Sequence, residues 1–189
     1  MVANPGRRRI LLDAGIEVLA RHGARGLTFR AVDDLAQVPP GTSSNYFANR
    51  DELLRELGGH VFERLTPEHV PETADPTRAR EAQLMKELLG RARHDRDGFL
   101  ALYELRLEAA RRADLADAIS DRYADNLDAI SAGHVEGGFP GDRRTALLLY
   151  LAMSGLILEY LTLPALLPAD DDALDQLVDD LVEAIVPPA

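Results

Sequence analysis

The reading of the fold turns on Leu27-Thr28-Phe29-Arg30-Ala31-Val32-Asp33-Asp34-Leu35-Ala36-Gln37-Val38-Pro39-Pro40-Gly41-Thr42-Ser43-Ser44-Asn45-Tyr46-Phe47-Ala48-Asn49-Arg50. Thr28 stands as an N-cap, its hydroxyl suited to accept from the free N–H groups of a first turn. The helix it opens is expected over 29–36, with Val32 and Leu35 facing inward. Gln37-Val38-Pro39 makes a break of three residues, and a second short helix is expected over 40–47. Two short helices joined by such a turn, with one helix before and a longer one after, form a helix-turn-helix, whose second helix enters the DNA major groove. Gly41, Thr42, Ser43, Ser44 and Asn45 are small or amide-bearing and poor helix formers. A helix meant only for packing would not use five of them in a row. On a DNA surface they permit close approach and offer hydroxyl and amide groups to a groove whose donor and acceptor pattern separates all four base pairs. Tyr46 and Arg50 follow where a phenol and a guanidinium reach phosphates.

Outward from this stretch the apolar period is helical and strand signals are missing. A helix is expected over 7–21, with Leu11, Ala14, Gly15, Val18 and Leu19 on one face and His22-Gly23 ending it. Asn49 caps the next helix, with Glu52 at the third position approximating a capping box, and Leu53, Leu54, Leu57, Val61 and Leu65 continue it. Pro67, Pro71 and Pro76 mark 66–76 as a loop. Further helices are expected at 77–94, 97–112, 114–132, 142–163 and 171–186, the third and fourth of these separated by a glycine-rich loop over 133–141. The prediction is an all-α chain of about nine helices.

The 189 residues include no cysteine, which removes disulfides, thiolate metal sites and cysteine nucleophiles and favours a reducing cytoplasm. The basic N-terminus is followed by an apolar stretch broken by Asp13, Glu17 and Arg21, so no signal peptide is expected. The longest apolar run, 146–158, is interrupted by Ser154 and Gly155 and closed by Glu159; it reads as too short to span a bilayer. A soluble, cytoplasmic protein is expected. Its net charge of −11 argues against nucleic acid at first sight, but the charge is unevenly placed. Residues 1–58 carry eight arginines against seven carboxylates, a net of +1, and the acidity lies in 59–189. Arg7-Arg8-Arg9 reads either as an arm toward phosphates or as a solubilising tail.

Read in order, Ile10-Leu11, Ala14, His22-Gly23, Leu27-Thr28-Phe29-Arg30-Ala31-Val32, Val38 to Phe47 and Asn49 to Leu54 resemble the N-terminal domain of the TetR family of transcriptional regulators. The resemblance covers about fifty residues without a gap. It implies a helix-turn-helix DNA-binding domain over 1–50, a connecting helix over 51–66 and a helical-bundle domain over 67–189 that binds ligand and dimerises. It implies that Thr28 and Arg50 hold phosphates and that Tyr46 lies near the DNA backbone. Arg30, Pro40, Gly41, Thr42, Ser44 and Asn45 would then lie nearest the bases. Two departures stand out: Gln37 occupies a turn position where the family usually has glycine, and Ser44 one where tyrosine is common.

The last two predicted helices differ in kind. The helix over 142–163 is apolar nearly all round, whereas 171–186 carries one apolar stripe with an acidic back. The family dimerises through its last two helices, which makes Leu148, Leu151, Ala152, Gly155, Leu174, Leu177, Val178 and Leu181 the candidate interface. Polar residues on otherwise apolar helices, namely Tyr103, Glu104, Tyr123, Asn126, Tyr150 and Glu159, are the candidate ligand-lining residues. Glu159 stands out as the one charge within 146–163. No nucleophile elbow, phosphate loop or dinucleotide fingerprint occurs. No Glu-x-x-His pair of a carboxylate-metal bundle occurs either, and His60 with Glu63 lacks a third ligand nearby. No catalytic residue, metal or cofactor is assigned. The partners expected are double-stranded operator DNA, a second copy of the chain and a small-molecule effector, with no membrane. A helical protein-interaction module whose helix-turn-helix does not bind DNA is the alternative.

Overall fold

The computed structural model describes residues 4–66 and 75–188. Pro67, Pro71 and His69 lie outside the described residues. Among the described residues there is no strand. The eight α-helices are α1 (Pro5–Gly26), α2 (Phe29–Leu35), α3 (Arg50–Leu65), α4 (Arg78–His94), α5 (Arg96–Ala109), α6 (Ala113–Glu136), α7 (Arg143–Thr162) and α8 (Asp171–Ile185). Two 3-10 turns accompany them, Ser43–Asn45 and Pro164–Leu166.

The helix expected over 40–47 is the main difference. Only Ser43–Asn45 is helical, as a single 3-10 turn, because Pro40 cannot donate and Gly41 sits at φ 88° in the left-handed region. Elsewhere the helix starts fall where the caps stand. Thr28 Oγ1 accepts from Ala31 N at 3.1 Å, and Asn49 Oδ1 from Glu52 N at 2.9 Å. Glu52 reaches back to Ala48 N at 2.6 Å, one residue earlier than a standard capping box. Gln37 takes φ 53°, so a non-glycine side chain occupies the left-handed turn position at a cost of about 1–2 kcal/mol.

The chain forms two compact units, Met1–Glu68 with Asp95–Tyr123, and His69–His94 with Ala124–Ala189. The first therefore includes α5 and the start of α6, which the linear division at residue 67 assigns elsewhere. In it α1 is the central helix, packed against α2, α3 and α5. Leu11, Ile16 and Leu19 meet Val32, Phe47, Leu53, Leu54, Leu57, Val61 and Leu105 in one buried core. α1 runs on past its expected stop because the chain kinks at Gly23, φ 65°, and resumes one further turn.

In the second unit α4, α7 and α8 pack together. Buried side chains include Ala82 and Leu89 of α4, Leu149, Met153 and Leu156 of α7, and Leu174, Val178 and Val182 of α8. Lys86 pairs with Asp179 at 2.7 Å and Arg93 with Asp171 at 3.0 Å. By length and composition alone, α7 at 20 residues is long and apolar enough to cross a membrane, so the shorter estimate from 146–158 understates it. One side of α7 is covered by α4 and α8. Leu147, Leu148, Leu151 and Leu158 remain exposed on another.

The second unit also buries a carboxyl. Glu81 Oε2 lies 3.4 Å from His134 Nδ1, and His134 Nε2 lies 3.2 Å from the Pro140 carbonyl oxygen. Burial pushes the Glu81 carboxyl above the ordinary carboxylate range, outweighing the downward pull of His134. A folded-state pKa raised in this way stabilises the fold fully below the unfolded value, about 4.3 for Glu, and that stability is lost as pH rises through the raised value. Thermal unfolding followed by circular dichroism should therefore show a Tm that falls with rising pH above this point, and Glu81→Gln should flatten that fall. A Glu81→Gln profile parallel to wild type would refute the assignment.

Candidate nucleic-acid interface

The polar turn after α2 is built around a residue that sequence reasoning passed over. Asp33 is 1% exposed, and its carboxylate accepts from Gly41 N at 2.7 Å, Ser43 N at 2.8 Å and Ser43 Oγ at 2.5 Å. One side chain of α2 thereby supplies the acceptors that a longer helix would have supplied from its own backbone. The sequence does hold a signal for it. Phe29, Val32, Asp33 and Ala36 fall at the i, i+3, i+4, i+7 positions of one helix face, so an acid stands on the inward stripe of α2.

With the turn anchored from below, its other side chains face out. Pro40, Gly41, Ser44 and Asn45 are exposed and Thr42 and Tyr46 half-buried, while Ser43 points inward. Ser44 Oγ donates to the Gly41 carbonyl at 2.8 Å and Asn45 Nδ2 to the same oxygen at 3.1 Å. These bonds brace the turn. Thr28 and Arg30 are exposed on neighbouring α2, and Arg30 keeps 89% of its side chain open with only a 3.8 Å pairing to Asp34. The structure thus gathers the sequence-predicted residues of α2 and the turn onto adjoining surface.

Arg50 is placed differently. Its Nε donates to the Leu27 carbonyl at 3.1 Å and its Nη2 to the Ala24 carbonyl, so it ties the start of α3 to the α1–α2 junction. Nη1 faces Glu108 at 3.9 Å. Arg8 stacks over the Phe47 ring at 4.9 Å and pairs with Glu56, whose hydrogen bond raises the guanidinium pKa further. Of Arg7-Arg8-Arg9, then, only Arg7 and Arg9 are exposed.

The candidate ligand-lining residues divide between the units. Tyr103, Glu104 and Tyr123 belong to the first, and Asn126, Tyr150 and Glu159 to the second. Tyr123 packs edge-on to Phe62 at 5.0 Å with Arg106 over its ring at 4.9 Å. Glu104 accepts from Ala24 N at 3.3 Å at the α1 kink, which makes it a tie within the first unit, the DNA-binding head. Glu159 is half-buried, and its Oε2 is buried with no hydrogen-bond partner among the described residues. Of the candidate dimer residues, Leu174 and Val178 are buried within their own unit, because the apolar stripe of α8 is used against α4 and α7. Leu177, Leu181 and Ala152 are half-buried, whereas Leu148, Leu151 and Gly155 are exposed.

Family comparisons fit this division of labour. The family described as "Bacterial regulatory proteins, tetR family" matches residues 11–57, and "Tetracyclin repressor-like, C-terminal domain" matches residues 76–188. The chain belongs to the TetR family. It is a helix-turn-helix transcriptional regulator with the family's helical C-terminal domain. Among TetR-family relatives, the HTH-type nicotine-responsive transcriptional repressor HdnoR of Paenarthrobacter nicotinovorans is 25% identical, over 97% of this chain and 98% of its own length. A TetR-family structure from Streptomyces coelicolor A3 is 27% identical with a TM-score of 0.68, covering 97% of this chain and 99% of that one. The multidrug binding protein EbrR, crystallised with ethidium, is 29% identical with a TM-score of 0.64, covering 96% of this chain and 99% of its own.

Because the TetR-type turn rests on one carboxylate, Asp33→Ala should leave the Gly41 and Ser43 N–H groups without their acceptor. The buried Ser43 donor left unmet costs about 1–3 kcal/mol, and the more open Gly41 donor less. Urea unfolding should show a loss in that range or above, and duplex affinity should drop at least tenfold. Normal stability and normal DNA binding in this variant would show that the turn holds its shape without Asp33.

Proposed function

We propose that this TetR-family regulator is a repressor that binds a pseudo-palindromic operator as a homodimer and is released by a small-molecule effector. The observation that carries the reading is the pairing of two surfaces on one chain. One is the exposed polar face over α2 and the Asp33-held turn; the other is the uncovered apolar stripe of α7. Leu147, Leu148, Leu151, Gly155 and Leu158 recur at spacings of three and four, so they line one side of the helix. A two-fold axis lets such a stripe meet its own copy. A dimer then presents two recognition turns to half-sites about one helical turn apart, roughly 34–36 Å. Such a protein acts in the cytoplasm and catalyses no reaction.

Gly155 makes the test clean. A Cβ placed there meets no other part of its own chain within 4 Å beyond the adjoining helix backbone, and Gly155 is exposed, so Gly155→Leu should leave subunit stability near wild type. It should nonetheless weaken the dimer in sedimentation experiments, and DNA affinity with it, since a monomer loses the linked second half-site. A variant that stays dimeric and binds DNA normally places the interface elsewhere. A wild-type protein that binds no duplex would favour the protein-interaction alternative.

For the effector, the reading is a cationic or basic nitrogen aromatic. Nicotine and ethidium, named for two relatives, share that chemistry, and the unpartnered Glu159 carboxylate oxygen suits a positive nitrogen. Titration with ethidium should enhance its fluorescence, and Glu159→Gln should weaken the affinity about tenfold, as losing one charge-assisted contact does. Equal ethidium binding by both proteins would remove Glu159 from the site.

A further inference from the structure

Arg50 divides its guanidinium between structure and surface. Nε and Nη2 are committed to the Leu27 and Ala24 carbonyls, which leaves Nη1. It faces Oε1 of Glu108 on α5 at 3.9 Å, beyond hydrogen-bond distance, and the Arg50 side chain keeps 36% of its surface open. Glu108 is more enclosed, at 16%, and lies 3.4 Å from Arg111 Nη2 and 4.0 Å from Arg112 Nη1. Arg112 pairs in turn with Asp51 at 2.9 Å. One carboxylate from α5 therefore sits among three guanidiniums beside the first residues of α3. Glu104, one turn earlier on α5, accepts from Ala24 N–H, so Ala24 is held by α5 through its amide nitrogen and by Arg50 through its carbonyl oxygen.

We propose that Glu108 competes with a DNA phosphate for Nη1 of Arg50, so that the seating of α5 on the helix-turn-helix sets how much positive charge the head offers to DNA. The inference rests on the reading of Arg50 as a phosphate contact. Two features make the exchange easy. The Arg50–Glu108 pair is an ion pair without a hydrogen bond, whereas a phosphate arriving from solvent can approach Nη1 to the roughly 2.7–2.9 Å of a charge-assisted bond. When Nη1 of Arg50 takes a phosphate instead, Glu108 is not left as an uncompensated charge, because Arg111 and Arg112 still face it. The converse also holds. A shift of α5 that brings Glu108 closer draws Nη1 inward and carries the α1–α2 junction with it through Glu104.

The experiment uses the full chain and a labelled mixed-sequence duplex of about three helical turns, followed by anisotropy from roughly 50 to 200 mM salt. Glu108→Gln should bind several-fold tighter at low salt, with a log–log salt slope steeper by part of the roughly 0.9 that one fully neutralised phosphate contributes, the loss in Arg50→Ala making up the rest. Arg50→Ala should bind more weakly with a shallower slope, and adding Glu108→Gln to it should change neither value. Glu108→Asp keeps the charge for Arg111 and Arg112 but withdraws it from Nη1, so its slope should move the same way by less. This variant keeps the test decisive where Glu108→Gln folds poorly. A Glu108→Gln slope equal to wild type overturns the proposal, as does a gain that persists without Arg50, which would be a general charge effect. Wild type lacking salt-dependent duplex binding overturns the DNA reading itself, an outcome distinct from wild type binding normally with unmoved Glu108 variants.

Discussion

Between Pro39 and Phe47 the backbone closes only short turns, from Thr42 N to the Pro39 carbonyl, from Asn45 N to Thr42 and from Tyr46 N and Phe47 N to Ser43, which leave the Gly41 and Ser43 N–H groups for an outside acceptor. The buried carboxylate of Asp33 supplies what is missing. Its three accepted hydrogen bonds fix Gly41 and Ser43 on α2. Bonds to a charged acceptor are each worth about 1.5–3 kcal/mol, more than neutral ones. Once Ser43 is turned in, Ser44 and Asn45 must face out and Phe47 falls into the core, where it approaches Phe29 at 6.5 Å. The start of α3 follows directly, since Asn49 caps it two residues later. The exposed polar turn is thus tied to the helix beneath it by a single acid, beside its own short backbone bonds.

The helical architecture was legible in the sequence because its signals are local. Period, glycine stops and polar caps at Thr28, Asn49 and Asp142 lie within a few residues of the boundaries they set. The helix expected over 40–47 fails for a reason present in the same residues. Gly41 to Asn45 are poor helix formers. In the structure their propensity wins and leaves a 3-10 turn. At the C-terminal end, sequence shows that a face is apolar but not what covers it. Leu174 and Val178 of α8 are buried inside the unit, and among the described residues the uncovered stripe lies on α7, with Leu147 and Leu158 beside the candidate interface residues Leu148 and Leu151.

Ion pairs between distant segments were not legible at all, and they change the meaning of single residues. Arg50 follows a helix cap, and its neighbours in sequence say nothing of Leu27, Ala24 or Glu108. Glu104 reads as a polar residue on an apolar helix, which suits a ligand pocket equally well. Only the fold places its carboxylate on the Ala24 N–H, beside the Gly23 kink.

The same pairs resolve the conflict between an acidic chain and an anionic partner. The arginines of residues 1–58 form two populations. Arg8 and Arg50 are half-buried and face Glu56 and Glu108. Arg7, Arg9, Arg21, Arg25, Arg30 and Arg55 are exposed, Arg21 and Arg30 with carboxylates beside them. Net charge counts both populations alike, whereas DNA meets mainly the exposed one. Carboxylates fixed on internal partners, such as Asp95 on Arg64 at 2.6 Å, have their charge largely compensated at short range. Uncompensated acids farther from the head than a Debye length, about 8–10 Å at physiological salt, are screened from the DNA. What governs binding is therefore the distribution of guanidiniums between internal acids and open surface, and in the head that distribution is set by how α5 lies against α1 and α3.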